Sequence, residues 1–166
     1  MPYEYKLMPS PVGQLTLVAR NGKLSAILWE TERANRVRLG ELHEANQNPV
    51  LLETERQLQE YFAGTRSTFE LELDFNGTAF QKQVWQALLT IPFGETRSYS
   101  QIARQIGNPK AVRAVGAANG RNPISIVAPC HRVIGAAGSL TGFAGGLEAK
   151  HYLLTLEGTD QAQLAF

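Results

Sequence analysis

The chain has 166 residues, a mass of 18.3 kDa, a net charge of +1, 43% hydrophobic residues and 19% charged residues. This is ordinary globular usage. It excludes a disordered or collagen-like chain and suits one domain, or one domain with a small companion, built without staples. A single cysteine excludes an internal disulfide, a CxxC redox pair and a multi-cysteine zinc knuckle.

The first elements read as a small α+β unit. Leu15–Ala19 and Leu24–Trp29 are β-rich runs separated by Asn21-Gly22, the strongest two-residue hairpin signal. Residues 32–43 are expected to form a helix with Ala34, Val37 and Leu42 as a thin apolar stripe. Residues 50–63 form a better one, with Val50, Leu51, Leu58, Tyr61 and Phe62 at helical spacing and Gly64 as its stop. Phe69, Leu71, Leu73 and Phe75 alternate with polar residues, which predicts a half-buried strand from Thr68 to Phe75. Asn76-Gly77 then marks a junction between domains 1–76 and 77–166.

Beyond it the pattern becomes helical. Thr78 and Gln81 form a capping box ahead of a helix with Phe80, Val84, Trp85, Leu88 and Leu89 on one face, and Pro92-Phe93-Gly94 closes it. Ser98 and Gln101 form a second box for a helix over residues 99–106. Gly107 stops that helix, and Asn108-Pro109 is expected to start another running from Lys110 to Gly120. Helix, glycine, helix at this length suggests a helix-turn-helix. The second helix carries an Ala/Gly stripe of Ala111, Ala114, Gly116, Ala117 and Ala118, which either packs tightly on another helix or brings the backbone close to a partner. Leu147–Leu156 is a last helix, closed by Glu157-Gly158.

The charge is unevenly spread. Residues 1–76 carry 8 Lys/Arg against 11 Asp/Glu, and residues 77–166 carry 8 against 4. Arg97, Arg104, Lys110, Arg113, Arg121 and Arg132 follow one another without an intervening acid. That stretch is either a solvated basic face or a surface for a polyanion such as nucleic acid.

The chemistry concentrates in Asn122–Gly135. A buried β-like run, Ile124 to Val127, leads through Pro129 to Cys130, His131 and Arg132. A lone intracellular cysteine is either an inert buried thiol or a nucleophile activated by a neighbouring base or charge. Glu157 stands in the last turn of its helix, where the macrodipole favours cations. It is either an exposed residue or a carboxylate held by a histidine, which would extend Cys130 and His131 into a Cys–His–Glu relay. The glycine-rich segment 138–146 does not match a P-loop. It is either a surface loop or a wrap around a flat ligand. No stretch nears the roughly eighteen apolar residues of a membrane helix, and Met-Pro-Tyr-Glu-Tyr has no secretion-signal character. The expectation is a cytoplasmic protein with no membrane contact.

Taken together, Arg113-Ala-Val-Gly, Asn122-Pro123, Pro129-Cys130-His131-Arg132-Val133, Thr141-Gly-Phe-Ala-Gly-Gly and Leu-Glu157-Gly158, with Tyr99 in Ser-Tyr-Ser-Gln-Ile-Ala, resemble the O6-alkylguanine-DNA alkyltransferases, and among them the short constitutive bacterial (Ogt) type. The resemblance runs from about Phe80 to Gly158 and is weaker before that. It implies an α+β protein: a ribonuclease-H-like N-terminal α/β domain and a mainly helical C-terminal domain with a helix-turn-helix. It also implies a suicide repair protein without a cofactor or metal, in which Cys130 takes the alkyl group from O6-alkylguanine or O4-alkylthymine. His131 would accept the thiol proton through a water, Glu157 would orient His131, Asn122 would support Cys130, and Tyr99 would assist the leaving base. Phe143, Ala144, Gly145 and Lys150 would line the base pocket. Arg113 would fill the gap left by a flipped nucleotide, and Ala111, Ala114, Gly116, Ala117 and Ala118 would lie in the minor groove of double-stranded alkylated DNA. The expected state is a monomer able to assemble cooperatively on DNA.

Phe143 departs from a common tyrosine, and Ala128 from a larger aliphatic residue. The N-terminal zinc site of some members is not expected, and neither is the methyl-phosphotriester-sensing domain of others. Cys130 separates the chain from relatives that carry tryptophan there. Two other classes stay open on the residues: a non-catalytic binder of alkylated DNA, and a cysteine hydrolase using Cys130, His131 and Glu157.

Overall fold

The computed structural model describes residues 2–135 and 143–159. Three antiparallel strands open the chain: β1 (Tyr3–Met8), β2 (Leu15–Arg20) and β3 (Lys23–Leu28). Asn21 and Gly22 turn β2 into β3 with φ of 54° and 75°, the left-handed pair that Asn-Gly adopts at low cost. A short β4 (Leu42–Glu44) joins β1 in parallel, so the sheet order is β3-β2-β1-β4. Helix α1 (Pro49–Phe62) packs across the sheet. Asn48 caps it by accepting from the amides of Val50 and Leu51 at 2.9 and 3.3 Å. Gly64 ends it at φ 80°, with the amides of Gly64 and Thr65 returning to the carbonyls of Tyr61 and Glu60.

The second half is mainly helical. It contains α2 (Ala79–Leu88), α3 (Tyr99–Gln105), α4 (Val112–Gly120) and α5 (Leu147–Leu156). A two-strand parallel pair, β5 (Arg97–Ser98) with β6 (Val133–Ile134), links the front of α3 to the chain after Cys130. Both expected capping boxes form. Helices α3 and α4 make the helix-turn-helix, broken at Gly107 with φ 79°.

Two cores result. One joins Leu17, Leu24 and Ile27 of the sheet to Leu51 and Leu58 of α1, and also takes in Ile124, Ile126 and Leu153 from the second half. The other gathers Val84, Trp85 and Leu88 of α2 around Ile102, Val115 and Cys130. The Trp85 indole N–H donates to the Ala118 carbonyl at 2.8 Å and pins α4 to α2.

Four local expectations are corrected. Residues 32–43 form no helix. The stripe there is too thin to outweigh the pull on Arg36, which is drawn inward to pair with Glu32 and to donate to the carbonyls of Gly120 and Asn122 at 3.1 and 2.9 Å. Thr68–Phe75 is extended but makes only one bridge, Leu73 to Leu24. The Gln57 amide takes the place of a further strand by bonding both the N–H and the carbonyl of Glu70. Pro109 lies before α4, whose N-cap is Ala111 without a side-chain cap. The apolar run 124–127 is a turn with one bridge, Ile124 to Ile27, because it is bent rather than paired.

Leu58 is fully buried between α1 and the sheet. Replacement by alanine is expected to lower stability by about 2–5 kcal/mol, whereas Leu89→Ala, at a site 39% exposed, should cost well under about 1 kcal/mol. Denaturant unfolding of the two variants checks the contrast.

Candidate active site

The cysteine is presented by a tightly folded stretch. Ile126 has φ 75°, a left-handed conformation that costs a β-branched residue about 1–3 kcal/mol. It allows the Val127 amide to bond back to the Ser125 carbonyl at 2.9 Å. One turn later the Cys130 amide bonds to the Ala128 carbonyl at 2.8 Å across Pro129. Asn122 holds the folded stretch from within. It is fully buried, donates from Nδ2 to the Ala128 carbonyl at 2.8 Å and accepts the Ile124 amide at 3.0 Å.

Cys130 begins a 3-10 turn (Cys130–Arg132) and is 4% exposed. Burial pushes its thiol up from the ordinary value. A hydrogen bond from Asn122, the charges of Arg36 and Lys150 and a hydrogen bond from Ser125 act in the opposite direction without overcoming it. At neutral pH the resting group is therefore the thiol, and a nucleophilic role requires a base.

A histidine is next in the chain. His131 is fully buried, and its Nε2 lies 2.8 Å from Glu157 Oε2. Burial pushes the imidazole down, against the charge and hydrogen bond of Glu157. The ring is thus neutral, with its proton on Nε2 facing the carboxylate. Nδ1 is left as a buried acceptor with no hydrogen-bond partner among the described residues.

Glu157, the C-cap of α5, is the most heavily bonded side chain here. Oε1 accepts from Arg132 Nε at 2.8 Å, and Oε2 accepts from Arg132 Nη2 at 2.9 Å. With the His131 contact, the Tyr61 hydroxyl makes the fourth, donating to Oε2 at 2.6 Å. Burial pushes the carboxyl up, but the charge His131 takes on in acid, its hydrogen bond, and the hydrogen bonds and charge of Arg132 outweigh it and hold the group at about 2. The sequence signal at Glu157 has a concrete reason: an anion against the dipole is compensated by a buried arginine and histidine.

Lys150, on α5, is fully buried and donates to the Val133 carbonyl at 2.7 Å. Its ammonium is 5.9 Å from the centre of the Phe143 ring. Burial lowers it to about 8, against the charge of Cys130. Phe143 meets Trp29 edge-on at 5.4 Å. Ala144 and Gly145 are half-buried beside it, and a Cβ on Gly145 would stand 2.7 Å from the Trp29 ring. The part of the glycine-rich segment from 138 to 142 lies outside the described residues.

On α4, Arg113, Ala114 and Ala117 are exposed, and Ala111 and Gly116 are half-buried. Tyr99, at the start of α3, packs over Gly116, where a Cβ would sit 3.8 Å from its ring. Ala118 departs from the expected stripe. It is 3% exposed and turned towards α2, so it cannot meet a partner. Arg132 leaves the basic face for the same reason, being buried against Glu157.

Sequence reasoning missed Tyr61, Arg132, Trp29, Ser125 and Arg36 as parts of this centre. Tyr61 lay in a helical apolar stripe where its hydroxyl was the only clue. Trp29 donates from its indole N–H to Ser125 Oγ at 3.1 Å, a contact between segments far apart in the chain. No group of three or more His, Cys, Asp or Glu among the described residues is placed to hold a metal ion. No described helix is long and apolar enough to cross a membrane.

Fold and site together define a class: a protein with one buried cysteine, a buried histidine beside it fixed by a carboxylate, and a helix-turn-helix against the thiol. Family comparison agrees. Residues 4–75 match the ribonuclease-like domain of 6-O-methylguanine DNA methyltransferase, and residues 79–159 match its DNA binding domain. The chain belongs to the 6-O-methylguanine DNA methyltransferase family. The methylated-DNA--protein-cysteine methyltransferase of Mycolicibacterium paratuberculosis is 51% identical over 93% of this chain and 92% of its own. That of Methanosarcina acetivorans is 47% identical over 93% of this chain and 98% of its own. The crystal structure of Mycobacterium tuberculosis OGT in complex with DNA superposes with a TM-score of 0.85 at 47% identity, covering 97% of this chain and 94% of that one.

Glu157 is depressed from its ordinary value of 4.5 to about 2. Its contribution to stability is therefore complete above about pH 4.5 and is lost as the pH falls towards 2. Glu157→Gln is expected to flatten the acid-unfolding curve in that window. At pH 7 it should cost about 3–5 kcal/mol, because the buried Arg132 loses its counter-charge. Circular dichroism across pH, with denaturant melts at pH 7, measures both.

Proposed function

We propose that this protein is a suicide DNA repair methyltransferase, which moves the alkyl group from O6-alkylguanine, or O4-alkylthymine, in DNA to Cys130. The observation that carries the reading is the buried Cys130 thiol followed directly by a neutral His131 whose Nε2–H is committed to Glu157. The named relatives at about half identity support it.

In the proposed reaction the thiol proton passes to His131 Nδ1, directly or through a water. The sulfur then attacks the alkyl carbon. A C–S bond forms, the carbon–O6 bond breaks, and its electron pair leaves with the purine, which takes up a proton with help from Tyr99. A thiolate is a soft nucleophile suited to saturated carbon, and the thioether product is a poor leaving group. The protein therefore acts once. Glu157 carries charge rather than a proton: four hydrogen-bonding contacts hold it ionised while it stabilises the imidazolium.

The partner in this reading is duplex DNA, since a base within the stack must be flipped out to reach Cys130. The exposed face of α4, with Ala114 and Ala117 flush against the backbone and Ala111 and Gly116 partly so, suits a narrow minor groove. Arg113, exposed on the same helix, would hold the gap in the stack. The base would sit against Phe143, Ala144, Gly145 and Lys150. In this reading the protein works as a monomer without a metal or cofactor, in the cytoplasm, and assembles cooperatively on DNA. Residues 1–76 are the scaffold domain and residues 77–166 the reading and reacting domain.

The intact protein is expected to gain the mass of one alkyl group after mixing with O6-methylguanine duplex, and Cys130→Ser to gain none. An unchanged wild-type mass with excess damaged DNA defeats the reading, and repeated turnover on an ester would instead mark a hydrolase. Arg113→Ala should slow transfer from duplex on the order of tenfold while leaving the free base almost unaffected. An equal loss on both substrates would remove the wedge role.

A further inference from the structure

The catalytic residues all come from the second half of the chain, yet Glu157 receives one bond from outside it. Tyr61 lies on α1, 96 residues away, and its hydroxyl donates to Glu157 Oε2 at 2.6 Å. The ring is 1% exposed and is held by Phe62, Phe69 and Phe93, with centroids at 5.3, 5.4 and 6.4 Å. These three contacts aim the hydroxyl, and the phenol stays protonated, because burial and then the Glu157 charge and hydrogen bond push it far above its ordinary value.

Oε2 is the same oxygen that receives His131 Nε2 at 2.8 Å. A carboxylate oxygen that accepts from a phenol and a guanidinium has less negative charge to share with an imidazole. We propose that Tyr61 is a positioning residue of the reaction, whose hydroxyl sets how strongly Glu157 draws on His131 and so sets the basicity of His131 towards Cys130. The proposal rests on the alkyl-transfer reading above. Several other groups act on this pair: Arg132 from the 3-10 turn on both partners, Lys150 from α5 on His131, and Tyr152 from α5 on Tyr61. None of these bridges from α1, so Tyr61 is the tie between the scaffold and the proton acceptor.

A merely structural tyrosine would behave differently when cut back. Loss of packing lowers the rate by one factor at every pH. Loss of this donor leaves Glu157 more charge for His131, stabilises the imidazolium, and moves the pH at which the base is lost.

The test is the single-turnover rate of alkyl transfer from O6-methylguanine duplex against pH, for the wild type, for Tyr61→Phe, and for protein with 3-fluorotyrosine in place of Tyr61. A parallel 15N NMR titration follows the His131 ring in the free protein. In Tyr61→Phe the acid-side inflection and the His131 titration should both move to higher pH, by about half a unit or more. The fluorinated phenol keeps the shape of the site and is a stronger donor, so it should move both to lower pH. Unchanged inflection and titration in the fluorinated protein, or a Tyr61→Phe profile that is only scaled down, overturns the proposal. If Tyr61→Phe fails to fold, the fluorinated protein decides alone. If the wild type transfers no alkyl group, the alkyl-transfer reading fails, and the NMR titration still decides whether Tyr61 governs His131.

Discussion

The structure depends on keeping one carboxylate ionised where water cannot reach it. Glu157 would be costly to bury alone. It is tolerated because Arg132 grips both its oxygens, the histidine beside the cysteine donates to one of them, and a phenol from the first helix completes the set. Each donor is in turn anchored. Arg132 also reaches the Ile91 carbonyl at 2.6 Å, which ties the loop after α2 to the same point. The result is a small ionic knot where α1, the α2 loop, the 3-10 turn and the end of α5 meet. A buried polar network rigidifies the segments it joins, and the knot holds these four in one relative placement.

Around it, the first half of the chain does more than support. Trp29 meets Ser125 and the residues near Phe143, and Arg36 bonds the end of α4 and the Asn122 carbonyl. Arg36 also places a cation at the C-terminus of α4, where the helix dipole favours one. The exposed stripe of α4 and the Asn122 that braces the thiol therefore share one guanidinium. A shift of α4 against a partner would be felt at the turn that carries Cys130.

How much of this could be read from the sequence depended on the range of the interaction. Local signals were reliable. The Asn21-Gly22 hairpin, both capping boxes and the Gly64 stop are set by residues within a few positions of one another, and all formed. The clustering of Cys130, His131 and Asn122 was likewise visible, since these residues stand close in the chain, and Glu157 showed itself by opposing a dipole. What could not be read was decided by distant partners. Arg36 was placed in a helix that its inward pull prevents. Residues 124–127 looked like a strand because burial and β-branching were legible, whereas the left-handed turn at Ile126 was not. Ala118 and Arg132 fell into patterns, an alanine stripe and a basic run, that describe composition but not direction. Both side chains point into the protein.

The contact between Trp29 and Gly145 has a consequence on another timescale. The indole fills the space that any side chain at 145 would need, at a separation no Cβ tolerates. A lineage that acquires a side chain at 145 must also shift or shrink the ring at 29. These two positions, one at the end of the hairpin and one before the last helix, should therefore drift as a linked pair among descendants of this protein, although 116 residues of chain separate them.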